Sequence, residues 1–118
     1  MHNFWCTIDC GVAVQPDNVV AQTESSIVYG LGVTLSEFIT IKNGAVEQNN
    51  FYDYHVPRMK DVPQMHIEVI ATENHPTGAG QMATPLVAPA ISSAVAELTG
   101  VRLRHTPFTP ERVKKALA

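Results

Sequence analysis

Pro76-Thr77-Gly78-Ala79-Gly80-Gln81-Met82-Ala83-Thr84-Pro85-Leu86-Val87-Ala88-Pro89-Ala90 is a glycine loop that runs into a proline-marked helix start. Glycine lets the backbone approach a neighbour or a bound group, and the first N–H groups of a helix point outward without intrahelical partners. In this reading Thr84 serves as the cap and Pro85 as the first helical residue, while Pro89 removes the hydrogen bond back to residue 85 and loosens the first turn. The stretch is thus either a tight strand-to-helix connection or a junction that receives something anionic. Upstream, Met65-His66-Ile67-Glu68-Val69-Ile70 alternates apolar and polar residues as a half-buried strand does. Downstream, Ala88 to Leu98 reads as a helix stopped by Gly100. Strand, loop and helix in that order predict an α/β fold.

The same reading extends to both ends. Phe4 to Asp9 is a strand with Trp5, Thr7 and Asp9 on one face and Phe4, Cys6 and Ile8 on the other, closed by Gly11 and the Pro16-Asp17 turn. Val20, Ile27, Leu31 and Leu35, with Val28 beside them, recur at helical spacings of three, four and seven, predicting a helix from about Asp17 to Ser36. Gly30 and Gly32 interrupt it, and each costs about 1 kcal/mol against alanine in a helix, so a close neighbour is expected there. Phe38 to Lys42, Asn43-Gly44 and Ala45 to Glu47 form a hairpin with a type I′ turn. Residues 49–60 have no clean period and read as an ordered loop. Val101 to Arg104 is a short strand, and Thr109-Pro110-Glu111 caps and opens a last helix. The fold class is a small mixed α/β sheet with helices packed on it, in the order β-α-β-β-β-α-β-α, over a single domain spanning residues 1–118. Because the first strand begins so near the start, the chain reads as a fragment of something larger, with sheet edges left unpaired.

Charge and cysteine content exclude several functions. Eight Lys and Arg face eleven Asp and Glu, and the only basic pair in sequence is Lys114-Lys115, so neither nucleic acid nor a membrane surface is an expected partner. Met1 to Trp5 lacks a basic n-region, and no apolar run is long enough to span a bilayer. The chain therefore reads as soluble, with its compartment left open. Cys6 and Cys10 in one strand stand about 13 Å apart, beyond disulfide reach, and read as small buried side chains. The five histidines show no metal-binding spacing, so no protein-held metal is expected.

Three segments in order carry a resemblance: Asp9-Cys10-Gly11, then Ala21-Gln22-Thr23-Glu24-Ser25-Ser26-Ile27, then Gly78-Ala79-Gly80-Gln81 through Val87-Ala88-Pro89-Ala90. From about residue 3 to residue 106 the chain resembles the C-terminal part of the molybdopterin-binding subunit of the xanthine dehydrogenase and aldehyde oxidoreductase family, nearest its isoquinoline 1-oxidoreductase and membrane-linked aldehyde dehydrogenase branch. Phe51-Tyr52-Asp53-Tyr54 resembles the family's linking segment. The resemblance implies a molybdopterin cofactor whose metal takes no protein side chain as ligand. It also implies an iron–sulfur subunit and the remainder of the molybdenum-binding subunit as partners. Gln22, Ser25, Ser26, Gly78, Gly80 and Gln81 would be the cofactor-binding residues. Family hydroxylases carry a glutamate as general base where this chain has Gln81, and glycines where it has Ser25 and Ser26.

An amide is not a useful base, and loss of a general base costs about 10²–10⁴ in rate. The expectation is therefore a cofactor-binding piece of a molybdenum oxidoreductase acting on an aldehyde, alcohol or N-heterocycle, inactive and without cofactor by itself. In the plainer reading of residue 81, its amide fills space and bonds the loop backbone. The alternative for the whole chain is a non-catalytic, diverged or truncated domain with a structural or assembly role. A small nucleotide-binding module is disfavoured because the loop lacks a P-loop lysine and a third glycine. Exposed apolar surface and free edges predict a homodimer in solution.

Overall fold

A computed structural model describes all 118 residues. Strand β1 (Asn3–Ile8) and strand β4 (Gln64–Val69) lie parallel, in register from Asn3 opposite Gln64 to Ile8 opposite Val69. Parallel neighbours need a long crossover, which helix α1 (Pro16–Leu35) and the following hairpin limb supply. The expected alternation holds. Phe4, Cys6, Met65 and Ile67 turn inward onto the core cluster of Ile27, Leu31, Ala83 and Val87, while Trp5 stacks on its cross-strand partner His66 on the outer face, ring centroids 5.1 Å apart.

The core is completed by helix α2 (Thr84–Thr99), whose Val87 and the preceding Ala83 meet Ile27 and Leu31. Gly30 permits this. A Cβ there would lie 2.8 Å from the Thr84 carbonyl oxygen and closer still to the Val87 side chain, so the two helices touch where α1 has no side chain. Gly32 lies under the Glu37 carboxylate, which accepts a 2.7 Å hydrogen bond from the Tyr54 hydroxyl. The close neighbours expected at both glycines are present.

Strands β2 (Ile41–Lys42) and β3 (Ala45–Val46) form the hairpin, with Asn43 and Gly44 both at positive φ as a type I′ turn requires. Its strands are shorter than expected and form their own ribbon, so the single sheet expected from the sequence is instead two separate two-stranded sheets. Residues 49–60 are ordered by polar contacts. The Asp53 carboxylate accepts 2.9 Å bonds from the backbone N–H groups of Asn49 and Asn50, which hold its acid strength above that of an ordinary carboxyl.

Three local expectations need correction. Val101 to Arg104 is not a strand, because no strand lies beside it and the Leu103 carbonyl instead accepts a 2.6 Å bond from Ser92 of α2. Helix α2 starts a turn before Ala88, since both Pro85 and Pro89 sit on its exposed side, where a missing N–H leaves no buried carbonyl stranded. Thr84 is not its cap: Ala83 holds that position, and the Thr84 hydroxyl is directed elsewhere. Gly100 ends α2 in the left-handed conformation, and helix α3 (Pro110–Leu117) is capped by Thr109 as the sequence indicates.

Candidate functional site

The glycine loop occupies residues 70–83, between β4 and α2, longer than a tight connection needs. Its first half is held by the Asp9-Cys10-Gly11 turn. The Asp9 carboxylate accepts from the Gly11 N–H at 3.0 Å, and Gly11 takes a φ of 74°. A Cβ at Gly11 would run into the His75 carbonyl, so only glycine lets the two segments meet. Backbone bonds seal the junction: Ile70 N–H to the Ile8 carbonyl at 2.9 Å, Val12 N–H to Asn74 at 3.0 Å, and Thr77 N–H to Cys10 at 2.8 Å.

The second half is held by α1. Ser26, almost wholly buried, donates from its hydroxyl to the Gly80 carbonyl at 2.7 Å. The Thr84 hydroxyl donates in return to the Ser26 carbonyl at 3.1 Å. One turn earlier on α1, the Gln22 amide reaches the same place: its Oε1 lies 3.7 Å from where a Cβ of Gly80 would stand. The turn at residues 9–11 and the Gln22–Ser26 turn of α1 therefore hold successive parts of one loop, residues 74–77 and residues 80–84.

Gln22, Ser26 and Gly80 are brought together, with Gly78 and Gln81 on the exposed rim of the same loop. The Gln81 side chain makes no hydrogen bond within the chain, unlike the plainer of its two readings, in which the amide bonds the loop backbone; only its carbonyl is engaged, by the Thr84 N–H at 3.3 Å. Ser25 lies apart from this group, lining a groove with Ala21, Glu24 and residues around Arg58. The adjacent serines thus face different ways, as successive positions 100° apart on a helix do. Thr84 is a side-chain clamp that the sequence alone presents as a helix cap, because a threonine just after the loop and before Pro85 fits both roles.

The chain's own structure accounts for its glycines unequally. Gly11 and Gly30 are needed because backbone or packed side chains crowd them. Gly80 has only Gln22 near, at ordinary contact distance, and Gly78 has nothing within 4 Å; neither takes a positive φ. These two positions sit in the loop with no internal reason to lack a side chain. The polar groups beside them are amides and hydroxyls, which orient a ligand through donated and accepted hydrogen bonds but do not exchange protons near neutral pH. Shifted acidities lie elsewhere: burial pushes the Cys6 thiol up, and the hydrogen bond to Glu37 raises the Tyr54 phenol.

A family model described as a molybdopterin cofactor-binding domain matches residues 1–63. This chain belongs to that family. It is 39% identical over 106 residues to the isoquinoline 1-oxidoreductase subunit beta of Brevundimonas diminuta, covering 90% of this chain and 14% of that protein. It is also 39% identical over 110 residues to a membrane-bound aldehyde dehydrogenase of Gluconacetobacter polyoxogenes, covering 93% of this chain and 14% of the relative. The crystal structure of quinoline 2-oxidoreductase from Pseudomonas putida 86 superposes with a TM-score of 0.87 at 26% identity, over 98% of this chain and 16% of that one. The chain thus spans about one-seventh of the length of the curated relatives it matches, and the resemblance read from its motifs is correct at the level of family and fold.

Proposed function

We propose that this chain forms one wall of the molybdopterin pocket of an oxidoreductase acting on an aldehyde, alcohol or N-heterocycle, with Gln22, Gly78, Gly80 and Gln81 facing the cofactor. The observation that carries this reading is the pair of glycines that the fold does not require. Gly78 and Gly80 leave open backbone beside a free amide, which fits a flat, hydrogen-bonding pterin better than an isolated ion. When bound, that group supplies the redox chemistry, and the protein supplies position and polarity. Gln22 donates and accepts through its amide. Ser26, turned inward, acts as a positioning residue that holds the Gly80 carbonyl. The side chain of Ser25 faces another groove and has no part in the loop contact.

Gln81 orients the reacting partners by hydrogen bonding and takes no proton. Hydroxylation is consequently slow unless another base is supplied by the rest of the subunit. The chain works as part of a longer molybdenum-binding subunit with an iron–sulfur partner and is inactive alone, a reading supported by its exposed apolar side chains, Trp5, Tyr29, Leu86 and Leu98 among them. A second reading, a non-catalytic assembly module, draws on the same Gln81.

The test is a Gln81→Glu substitution in the full-length subunit, assayed with aldehydes and N-heterocycles alongside molybdenum and pterin analysis. The account expects unchanged metal content and turnover raised by about 10²-fold or more. A subunit lacking both pterin and molybdenum would instead favour the assembly role.

A further inference from the structure

The last eighteen residues carry a charge pattern opposite to the rest. Five of the eight Lys and Arg lie in residues 101–118, with Glu111 as the only carboxylate among them, while ten acids face three basic residues in residues 1–100. The fold gathers these cations. Arg102, Arg104, Arg112 and Lys115 rim a groove of about 710 Å³ between residues 102–108 and α3, with Leu103 and Phe108 at its floor. A second hollow of about 320 Å³ lies on the other side of the same stretch, against Pro89 and Ser92 of α2. No acidic residue lines either one.

The stretch between them is prepared for a partner along its backbone as well. Val101 and Leu103 turn inward while Arg102 and Arg104 point out, the alternation of a strand. The N–H groups of Arg102, Leu103 and Arg104 find no acceptor within the chain, whereas Leu103 is anchored from behind by Ser92. Arg112 is committed to the Thr106 and Pro107 carbonyls and shapes the groove; the side chains of Arg104 and Lys115 make no hydrogen bond in the chain.

We infer that this face docks an acidic, extended polypeptide segment, which lies along residues 101–104 as an added strand with its carboxylates between Arg104 and Lys115 and its apolar side chains on Leu103 and Phe108. Strand addition supplies affinity through the backbone, and charge complementarity selects the partner. The groove exceeds what a single inorganic ion fills, and its apolar floor suits alternating side chains. The surface shares no residue with the glycine loop, so the inference stands or falls independently of the cofactor reading.

Fluorescence anisotropy with a labelled short peptide alternating glutamate and leucine tests it, with the glutamine-for-glutamate peptide as control. The wild-type chain is expected to bind the acidic peptide and not the neutral one, more weakly as salt rises. The Arg104→Glu/Lys115→Glu variant, with unchanged circular dichroism, is expected to bind at least about tenfold more weakly, and Arg104→Lys/Lys115→Arg to bind nearly as well as wild type. No binding, equal binding of the neutral peptide, or equal binding by the charge-reversed variant would overturn it. So would concentration-dependent self-association abolished by the same charge reversal, which would assign the groove to a second copy.

Discussion

The glycine-loop end and the C-terminal arm solve the problem of presenting a surface in opposite ways. The loop is long and poor in charge, yet it is clamped at the Gly11 turn, at Ser26 and at Thr84, so its shape is set by contacts within the chain. The arm is rich in cations and loosely held: beyond Phe108, whose N–H meets the Thr34 carbonyl, helix α3 contributes no fully buried residue. A preorganised wall suits a rigid ligand that tolerates little misplacement. A charged, adaptable face suits a polypeptide that brings its own conformation.

The contrast breaks most severely at the helix contact beneath the loop. Gly30→Val forces a branched side chain against Val87 and the Thr84 carbonyl, and overpacking of this kind costs about 1–3 kcal/mol or more. Thermal unfolding should show the chain strongly destabilised; an unchanged midpoint would mean that α1 and α2 are not in contact at residue 30. Ser26→Ala comes next. It removes the donor to a carbonyl held by a nearly buried hydroxyl, a loss of about 1–2 kcal/mol. Hydrogen exchange should speed up in residues 78–84 before the rest of the helix. On the arm, Arg104→Glu/Lys115→Glu should move global stability by less than about 0.5 kcal/mol, since neither side chain bonds within the fold.

The smallest effect belongs to Asp53. Its folded carboxyl is more acidic than its unfolded one because two backbone N–H groups bond it. The contribution is therefore present above the ordinary carboxylate range and lost as pH falls through the lowered folded value. NMR shifts of Asn49 and Asn50 amides should follow that titration. Asp53→Asn should remove the pH dependence while loosening the turn slightly.

Much of this was legible in sequence because it rests on local signals. The 3.6 period of α1, the Asn43-Gly44 turn, the Thr109-Pro110 cap and the alternation of both long strands each depend on neighbours a few residues away. What was hidden depends on contacts across the fold. The Thr84 hydroxyl looks like a cap until α1 is placed beside it. Val101 to Arg104 has a strand pattern with no strand to pair. The separation of Ser25 from Ser26 follows from which face α1 buries, and the cationic groove appears only when residues 102–104 are brought against α3. The family was readable because three weak motifs occur in order, and the structure shows the physical reason for their company: the turn at Gly11 and the Gln22–Ser26 face both hold the loop.

The central claim is that Gly78 and Gly80 are glycine for a ligand and not for the fold. Replacing both by alanine in the full-length subunit, and measuring molybdenum per protein beside the thermal midpoint of the 118-residue chain, tests it directly. The account predicts a chain that keeps its stability or gains about 0.4–1 kcal/mol per site, because alanine loses less freedom on folding, together with a clear loss of bound molybdenum. Full molybdenum content with both methyl groups in place would contradict it.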